Sequence, residues 1–309
     1  MFFHNNFLKC RRGAKVDIIK IIFLIIITCL IIGIFLAFLF FQNNHLETSQ
    51  YTVTADVSSE FKIVHLSDLH SKEFGKNNRK LYQSVLNCKP DFIVFTGDLI
   101  DDSTVGIDNM ATFLGKLNVA VPVIYIPGNH EHRGDKFNEI ITSLKNTGIV
   151  VLINELIEIP IKDNCVTILG LDENQGSFQN YYQRKKGKYV YTDYTDLFAS
   201  LAQHEGFKLL LSHYPENFAA IGDASYQKYD FDLMLSGHAH GGQFRLPFIG
   251  PVYAPGQGFF PNYTEGIHGT DSKLIISRGL GNSGFPFRLF NFPEIVEITV
   301  TPVDVISEQ

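Results

Sequence analysis

The chain has 309 residues, of which 45% are hydrophobic, enough for one large domain with a sizeable core or for two small ones. Its formal charge is -6 at pH 7, and it carries no basic stripe interleaved with aromatic residues, so nucleic-acid binding is not expected. The four cysteines are too few for a disulfide framework. Cys88 and Cys165 are expected as separate thiols, with a bond between them as the alternative.

The amino-terminal region predicts a transmembrane segment. Residues 21–41 carry no charge, and about 20 apolar residues in a helix span the bilayer core. The run is longer than the apolar part of a signal peptide (about 7–15 residues), and no Ala-x-Ala site follows it, which favours an uncleaved signal anchor. The alternatives are a buried core helix and, because of Arg11-Arg12, part of a twin-arginine export signal.

The distribution of basic residues predicts the orientation of this anchor. Residues 1–20 hold five Lys and Arg residues, and the next basic residue along the chain is Lys62. The positive-inside rule therefore places residues 1–20 in the cytoplasm and everything after the anchor outside the cell membrane. The polar residues 42–60 are predicted as a juxtamembrane linker with one strand near Tyr51–Val57, followed by a catalytic domain at 61–309.

From residue 61 onward, the sequence predicts alternating strands and helices. Helical spacing of apolar residues predicts helices at 76–88, 107–117, 137–145 and 196–204. Three short apolar runs within 150–171 predict a β-meander, and the polar, Tyr-rich stretch 176–193 predicts an exposed excursion. The two patterns together favour one layered α/β domain over two domains.

Five apolar runs that predict buried strands each end in residue types that bind metals. Ligands in open α/β sheets bind beyond the carboxyl ends of the strands, where these side chains would meet. The runs end in Asp68-Leu69-His70, Gly97-Asp98, Gly128-Asn129-His130, Ser212-His213 and Gly237-His238-Ala239-His240. Burying so many carboxylates and imidazoles costs on the order of several kcal/mol unless they are paired or bound to metal. The combination therefore predicts one metal site assembled from distant parts of the chain.

The chemistry of these side chains favours a pair of cations. Asp68 and His70 are two residues apart and would point to the same side of an extended segment. Asp98 follows Gly97, and its two carboxylate oxygens suit a bridge between ions roughly 3.5–4 Å apart. Nitrogen and oxygen ligands without cysteine suit Mn, Fe or Zn. The remaining candidate ligands are Asn129, His213, His238 and His240.

Other charged residues lie near the motifs without belonging to them. Arg245 and Arg278 are candidates for gripping a second phosphate or a polar head group, with surface or core-edge arginines as the alternative. Four further histidines are expected to be non-ligands with local partners: His65, His132, His204 and His268.

The motifs in this order resemble those of the calcineurin-like metallophosphoesterases, and the resemblance covers residues 61–300. The anchor, Gly241-Gly242-Gln243 and the segment 277–281 (Ser-Arg-Gly-Leu-Gly) resemble the membrane-tethered bacterial phosphodiesterase branch of that family. The resemblance implies an α/β fold, a four-layer αββα sandwich of two mixed β-sheets flanked by helices, here preceded by one amino-terminal transmembrane helix.

The resemblance also implies specific roles. Two metal sites sharing one carboxylate would be held by Asp68, His70, Asp98 and His240, and by Asp98, Asn129, His213 and His238. His130 matches the family's catalytic non-ligand histidine, which protonates the leaving oxygen or steadies the transition state, and Glu131 matches an acid that orients it. Two cations would bind phosphate oxygens and activate a water for attack on phosphorus.

These features predict a membrane-anchored, dinuclear metal-dependent phosphoric ester hydrolase. A phosphodiester of an envelope or lipid-linked substrate, or a phosphorylated small molecule, is the expected partner, since tethering raises the local concentration of membrane substrates. One alternative is a UDP-2,3-diacylglucosamine-type pyrophosphatase, whose substrate is cytoplasmic and thus opposite the predicted domain. A nuclease is disfavoured by the acidic balance, and a non-catalytic metal-binding scaffold by the complete set of ligand types.

Overall fold

The computed structural model describes residues 2–101, 106–133, 135–173, 192–219 and 225–303. The α-helices in these residues are α1 (Phe2–Asn44), α2 (Arg79–Asn87), α3 (Ile107–Ala120), α4 (Phe137–Asn146) and α5 (Thr195–Leu201). Short 3-10 helices lie at Lys76–Asn78, Pro215–Asn217, Tyr226–Lys228 and His240–Gly242. Each predicted helix is present within a few residues of its expected bounds. The Tyr-rich excursion predicted at 176–193 lies, except for residues 192 and 193, outside the described residues.

Two six-stranded mixed sheets form the centre of the described domain. The first contains, in spatial order, β1 (Glu47–Ala55), β16 (Glu294–Pro302), β2 (Phe61–Leu66), β3 (Phe92–Phe95), β4 (Val123–Tyr125) and β5 (Val150–Val151). The second contains β14 (Gly266–His268), β15 (Lys273–Ile276), β9 (Leu233–Ser236), β8 (Phe207–Leu211), β7 (Asn164–Gly170) and β6 (Glu155–Ile161). Two small hairpins pair β10 (Arg245–Leu246) with β11 (Gly250–Pro251) and β12 (Tyr253–Ala254) with β13 (Gly258–Phe259). The predicted α/β fold with two mixed sheets is confirmed.

Hydrophobic side chains on both faces of each sheet fix how the layers stack. Phe61 of the first sheet meets Phe207 of the second edge-to-face, with ring centroids 5.5 Å apart, inside one buried cluster. The outer face of the first sheet packs against α2, α3 and α4, and that of the second against α5 through Phe198. Strands that are buried on both faces have continuous apolar sequences, and these strands could therefore be predicted from the sequence. Cys88 belongs to the buried cluster between the first sheet and helices α2, α3 and α4. Both Cys88 and Cys165 are free thiols, as expected.

Parallel pairing brings the ends of the motif strands to one edge. β2, β3 and β4 are parallel neighbours in the first sheet, and β8 and β9 are parallel neighbours in the second. The carboxyl ends of these strands carry the five metal-binding motifs. The loops after them therefore open onto a common region, as expected for a site at the ends of parallel strands.

Residues 150–171 do not form the predicted β-meander. Strand β5 pairs in parallel with β4 in the first sheet, whereas β6 and β7 form an antiparallel hairpin at the edge of the second. Short apolar runs in succession indicate strands, but their periodicity carries no information about which sheet each strand joins. After helix α4 the chain enters the first sheet as β5. It then crosses to the second sheet, where β6 and β7 form the hairpin.

The strand predicted near Tyr51–Val57 is present as β1, but it starts earlier and belongs to the first sheet of the domain rather than to a linker. Helix α1 continues to Asn44, and β1 begins at Glu47 and pairs in parallel with β16 along its whole length, from Glu47↔Glu294 to Ala55↔Pro302. Tyr, Thr and Val favour strands, and here an exposed edge strand keeps polar side chains on one face, which made it read as a linker. The domain therefore begins directly after α1.

Helix α1 stands out from the domain and docks on it at one end. Among the described residues, one helix has the length and apolarity to cross a bilayer, Ile18–Asn44, with a mean hydropathy of 3.3 and no buried residue in its most apolar window. The alternative of a buried core helix is therefore excluded. At its carboxyl end, the ammonium groups of Lys72 and Lys80 donate to the carbonyls of Asn43 and Asn44, which suits the negative end of a helix.

Candidate metal centre

The backbone of the motif loops adopts conformations that few side chains favour. Positive φ angles occur at Asp68 (53°), His70 (48°), Asp98 (55°), His238 (63°) and His240 (49°). Left-handed backbone outside glycine costs about 1–3 kcal/mol at each residue and persists where the surroundings impose it, which is characteristic of functional sites. Backbone bonds of 3.0 Å from Asp68 N–H to Gly97 O and from His70 N–H to Asp98 O hold the first two loops together. Asp68 and His70 converge through this bend rather than through the extended segment that their spacing suggested.

Glycines let these loops approach each other. A Cβ at Gly97 would collide with the backbone of Gly128, and one at Gly237 would collide with the side chains of Ser67 and Asp68. The loops after β2, β3, β4 and β9 therefore pack so closely at Gly97 and Gly237 that neither position has room for a methyl group. At Gly97 the close neighbour is the backbone of the loop that carries Asn129.

The first cluster of potential ligands joins two carboxylates and two imidazoles. His240 Nε2 lies 3.2 Å from Asp68 Oδ1 and 3.0 Å from His70 Nε2, and the latter lies 3.7 Å from Asp98 Oδ2. All four side chains are buried. The backbone N–H of His238 donates to both oxygens of Asp68, at 3.1 and 3.0 Å, and fixes the carboxylate from behind.

The second cluster is centred on His213 and shares Asp98 with the first. His213 Nε2 lies 3.4 Å from Asp98 Oδ2, 3.2 Å from Asn129 Oδ1 and 3.2 Å from His238 Nδ1. His213 Nδ1 lies 2.6 Å from the carbonyl oxygen of Thr96, which can only accept. Nδ1 must therefore carry a proton, and a neutral His213 directs the lone pair of Nε2 at Asp98 and Asn129.

The two clusters fit metal cations by their donor atoms. In each cluster, the carboxylate oxygens and imidazole nitrogens lie within 4.8 Å of one another and are buried. The facing nitrogens of His70 and His240 can share one proton, but the Asp68 and Asp98 oxygens beside them only accept, so acceptors outnumber hydrogens in the cluster. Such a set of acceptors suits a cation, and nitrogen with oxygen ligands suits Mn, Fe or Zn.

The pKa values of the buried carboxyl and imidazole groups indicate which of them carry charge when no metal is bound. Burial favours neutral Asp98, but the neighbouring His213 and His130 outweigh it and hold the pKa of Asp98 well below its usual range. Burial likewise opposes a charge on His213, yet Asp98 and Asp68 raise the pKa of His213 to about 10. Burial lowers the pKa values of His70 and His238. These shifts favour a charged His213 beside an ionised Asp98, and binding of a cation to His213 Nε2 would displace the proton from that nitrogen.

His130 lies at the edge of the site rather than inside either cluster. Its backbone N–H donates to Asp98 Oδ1 at 2.8 Å, while its Nε2 is 3.9 Å from Asp98 Oδ2. Its ring stands edge-to-face against the ring of His70, with centroids 4.4 Å apart. The side chain therefore lies next to both clusters without belonging to either.

Glu131 ties together the loops that carry Asp98 and Asn129. Its buried carboxylate accepts backbone N–H bonds from Gly128 at 2.7 Å, from Asp98 at 2.9 Å and from Leu99 at 2.9 Å. The predicted orientation of His130 by Glu131 stays a prediction. The contacts show in addition that Glu131 fixes the backbone at Asp98, the carboxylate shared by the two clusters, and at Gly128.

Glu131→Gln is expected to lower the free energy of unfolding by about 1–3 kcal/mol, because one acceptor oxygen becomes an amide that faces backbone donors. Thermal or chemical unfolding of the metal-free protein measures this effect. Glu139→Gln, at an exposed position of α4, is the matched control and should leave stability unchanged. Equal stability of the two variants would contradict the role given to Glu131.

Both arginines proposed for substrate binding are paired with carboxylates of the chain. Arg278 lies 2.8 Å from Glu47 and 3.1 Å from the buried Glu294, and Arg245 pairs with Glu265. The two pairs of Arg278 join β1 and β16 to the segment behind Asp68, and they raise the pKa of Arg278 above its usual range against the effect of burial. A substrate role for Arg245 and Arg278 stays a prediction, whereas their structural pairing is observed.

Arg278→Met is expected to destabilise the protein by about 3–5 kcal/mol, since it leaves Glu294 buried without its charged partner. Unfolding measurements together with KM for a phosphodiester separate the two roles. A structural role lowers stability and leaves KM unchanged in the protein that remains folded. A rise in KM at unaltered stability would instead assign Arg278 to the substrate.

Arg288 is the residue near the site that the sequence analysis missed. Its side chain is fully buried, with Nε 3.0 Å from Gly281 O and one terminal nitrogen 3.4 Å from His240 Nδ1. Burial lowers the pKa of Arg288 to about 9. Gly281 in turn donates its backbone N–H to Asp68 O, so Arg288 braces two ligand loops. A single charge within the aromatic stretch 285–292 was the signal in the sequence.

The four histidines expected to be non-ligands lie outside both clusters. His65 Nε2 is 2.8 Å from the hydroxyl of Thr96, and His132 Nε2 is 2.7 Å from Asp172. His204 pairs with Glu158, and His268 contacts a backbone carbonyl.

Two buried clusters that share one carboxylate, at the ends of parallel strands from two sheets, define a dinuclear-type metal hydrolase. The model of the calcineurin-like phosphoesterases matches residues 61–242, and the chain belongs to this family. It is therefore a metal-dependent phosphoesterase with an intact His/Asp site, as the sequence predicted.

Two bacterial relatives are similar over most of this chain. The uncharacterized metallophosphoesterase YkuE of Bacillus subtilis is 30% identical over 84% of this chain and 87% of its own length. An uncharacterized metallophosphoesterase of Aquifex aeolicus is 30% identical over 86% of this chain and 98% of its own. Among solved structures, the phosphopantetheinyl hydrolase PptH of Mycobacterium tuberculosis is 16% identical, covering 71% of this chain and 89% of that one with a TM-score of 0.42.

Proposed function

We propose that this protein is a membrane-anchored phosphodiesterase that hydrolyses an envelope or lipid-linked substrate with the help of two cations. The observation that carries the proposal is the buried Asp98 carboxylate, which belongs to both ligand clusters in a domain joined directly to an apolar helix. The anchor supports a substrate at the membrane, because tethering raises the local concentration of membrane phosphoesters.

The two metal sites proposed from the sequence correspond to the clusters. The first would use Asp68, His70, Asp98 and His240, and the second would use Asp98, Asn129, His213 and His238. When bound, the cations supply Lewis acidity to phosphoryl oxygens and lower the pKa of a water nucleophile. The chain contributes the alignment: Thr96 sets the tautomer of His213, and the His238 backbone amide fixes the Asp68 carboxylate.

His130 is the proposed general acid. It is held by its backbone at Asp98, and its imidazole adjoins the first cluster without being part of it. From there it would donate a proton to the oxygen that leaves phosphorus, which balances the charge developing on that atom. Packing of the ring against His70 keeps the donor oriented while the substrate enters.

The proposed topology places α1 in the membrane with the domain outside. Five basic residues precede the apolar stretch and none follows before Lys62, which favours a cytoplasmic amino terminus. The apolar helix supports the anchor, and a signal anchor of the membrane-tethered phosphodiesterase branch accounts for both features. Accessibility of Cys165, which is exposed in the domain, to an impermeant thiol reagent on intact cells tests the orientation.

The function is tested on the full-length protein purified in detergent. Metal analysis is expected to find two equivalents of Mn, Fe or Zn, and a chelator is expected to abolish hydrolysis until metal is restored. A generic aryl phosphodiester should be hydrolysed faster than the corresponding aryl phosphomonoester. Faster turnover of the monoester would contradict the diesterase proposal while leaving the phosphoesterase assignment in place.

A further inference from the structure

Outside helix α1, exposed large apolar side chains are concentrated in the carboxyl-terminal third of the chain. We call six of them the aromatic rim: Phe248, Ile249, Phe259, Phe260, Phe285 and Phe290. Phe259 and Phe260 are 74% and 67% exposed, and Phe248 projects fully into solvent. Isolated apolar residues are common on protein surfaces, but a group of this size marks a surface that contacts another apolar phase.

Hydrogen bonds hold the rim together as one local structure. The backbone N–H of Phe260 donates to Val252 O at 3.0 Å, and the N–H of Val252 donates to Phe244 O at 2.9 Å. The Phe244 ring stands edge-to-face against Phe285, with centroids 5.0 Å apart. Phe244 also forms a β-bridge with Leu289, the neighbour of Phe290. Both small hairpins and the loop 285–290 are therefore parts of the same surface.

The rim is continuous with the apolar helix. The rings of Phe38 and Phe290 lie 5.7 Å apart, and those of Phe41 and Phe292 lie 5.6 Å apart. Phe38 belongs to the uncharged stretch 21–41, and with a rise of 1.5 Å per residue it lies about 4.5 Å inside the end of that stretch. If α1 spans a bilayer, Phe290 lies at the edge of the hydrocarbon.

The junction between α1 and the domain is short and braced. Only residues 45 and 46 separate the helix from β1, and the side chain of Asn43 accepts the backbone N–H of Arg288 at 3.1 Å. The ammonium of Lys72 also donates to the Asn43 carbonyl. The domain is thus held at a fixed orientation to the helix, with the rim beside the point where α1 leaves the apolar layer.

The rim is also bonded to the turn that carries His240. Gln243 follows this turn, and its side-chain amide donates to Phe287 O at 2.8 Å and to Phe285 O at 3.3 Å. The Asn291 side-chain amide donates to His240 O at 2.7 Å. Hydrogen bonds of Gln243 and Asn291 therefore join the aromatic rim to the metal centre.

We propose that the aromatic rim inserts into the interfacial layer of the bilayer that holds α1, and that the metal centre takes phosphoesters of lipid head groups from that leaflet. The inference rests on the proposed membrane anchoring and names the substrate class more closely. Apolar side chains beside a spanning helix gain from burial at the head-group boundary, and they keep the site at the depth where lipid phosphates lie.

The absence of tryptophan from the sequence offers a direct test. Single-tryptophan variants of the full chain are reconstituted into phosphatidylcholine bilayers with doxyl-labelled lipid. Phe248→Trp and Phe260→Trp probe the rim. Val119→Trp, 88% exposed at the end of α3, is the matched control, and Leu30→Trp marks the centre of α1. Both rim probes are expected to emit at shorter wavelength than Val119→Trp and to lose emission to the doxyl lipid.

The outcomes distinguish failure of the rim insertion from failure of the proposed membrane anchoring by α1. Rim probes that behave like Val119→Trp while Leu30→Trp is quenched overturn the insertion and leave the anchor intact. A Leu30→Trp probe without quenching overturns the anchoring, and the inference falls with it. In the same bilayers, the double variant Phe248→Ser, Phe260→Ser should lower the ratio of lipid phosphodiester to soluble aryl phosphodiester turnover. An unchanged ratio overturns the assignment of a lipid substrate.

Discussion

Asp98→Asn is expected to remove bound metal and turnover together. Asparagine keeps one carbonyl oxygen, which can still accept the His130 backbone N–H that now bonds to Asp98 Oδ1 at 2.8 Å. Its amide nitrogen, however, would direct hydrogens where Asp98 Oδ2 now faces His213 and His70 at 3.4 and 3.7 Å. One substitution thus removes a negative ligand from both clusters. We expect turnover to fall at least about a thousandfold, which equals about 4 kcal/mol of transition-state stabilisation.

Metal content per chain and hydrolysis of an aryl phosphodiester are measured on the same preparation. Asp163→Asn, the same chemical change at an exposed turn between β6 and β7, is the control and should keep full metal and activity. Two metal equivalents with wild-type turnover in Asp98→Asn would refute the bridging role. Loss of activity with both metals retained would place Asp98 in catalysis without ligation.

His130→Ala is expected to keep both metals and lose about 10²–10⁴ of the turnover, the range that a positioned proton donor contributes. The side chain is not needed to hold Asp98, because the contact to that carboxylate is made by the backbone N–H of residue 130. Alanine preserves this bond, so the ligand clusters should remain assembled. His204→Ala, which removes a partly exposed imidazole paired with Glu158, is the matched control.

The leaving group distinguishes proton donation from simple charge stabilisation by His130. A general acid matters most when the departing oxygen is a poor leaving group, so an alkyl phosphodiester should lose more activity in His130→Ala than a nitrophenyl phosphodiester. An equal loss for both substrates would show that His130 does not transfer the proton. Loss of metal from His130→Ala would show instead that its ring supports the clusters, for example through its packing on His70.

The residues of the clusters were predictable because the chemistry leaves a strong mark on a sequence. Apolar runs that end in carboxylate and imidazole side chains are costly to bury, so several in succession indicate metal ligands rather than core packing. The structure brings Asp68, Asp98, His213 and His240 together at the ends of parallel strands, as that argument required. The backbone that achieves this was not predictable, because aspartate and histidine adopt left-handed φ angles more often than most residues but still at only a small minority of positions.

The assignments that failed depended on partners distant in sequence. The sequence predicted a strand near Tyr51–Val57 within a linker, but neither its start at Glu47 nor its pairing with β16, 247 positions away, could be predicted. The apolar run 150–153 was predicted as part of a β-meander, whereas β5 pairs with β4, because a short apolar run does not encode its neighbour. Arg288 gave no motif, and its role follows only from contacts with Gly281 and His240.

The sequence by itself determined the apolar helix, the α/β class, and the set of candidate ligand residues with Asp98 as the expected shared carboxylate, because each depends on local composition or on an ordered motif. Tertiary structure decided which loops bend back, how the two clusters are assembled, and how closely the helix is joined to the domain. It also placed exposed phenylalanines beside Phe38. Contacts between remote segments are set by packing and strand pairing, which one-dimensional periodicity does not record.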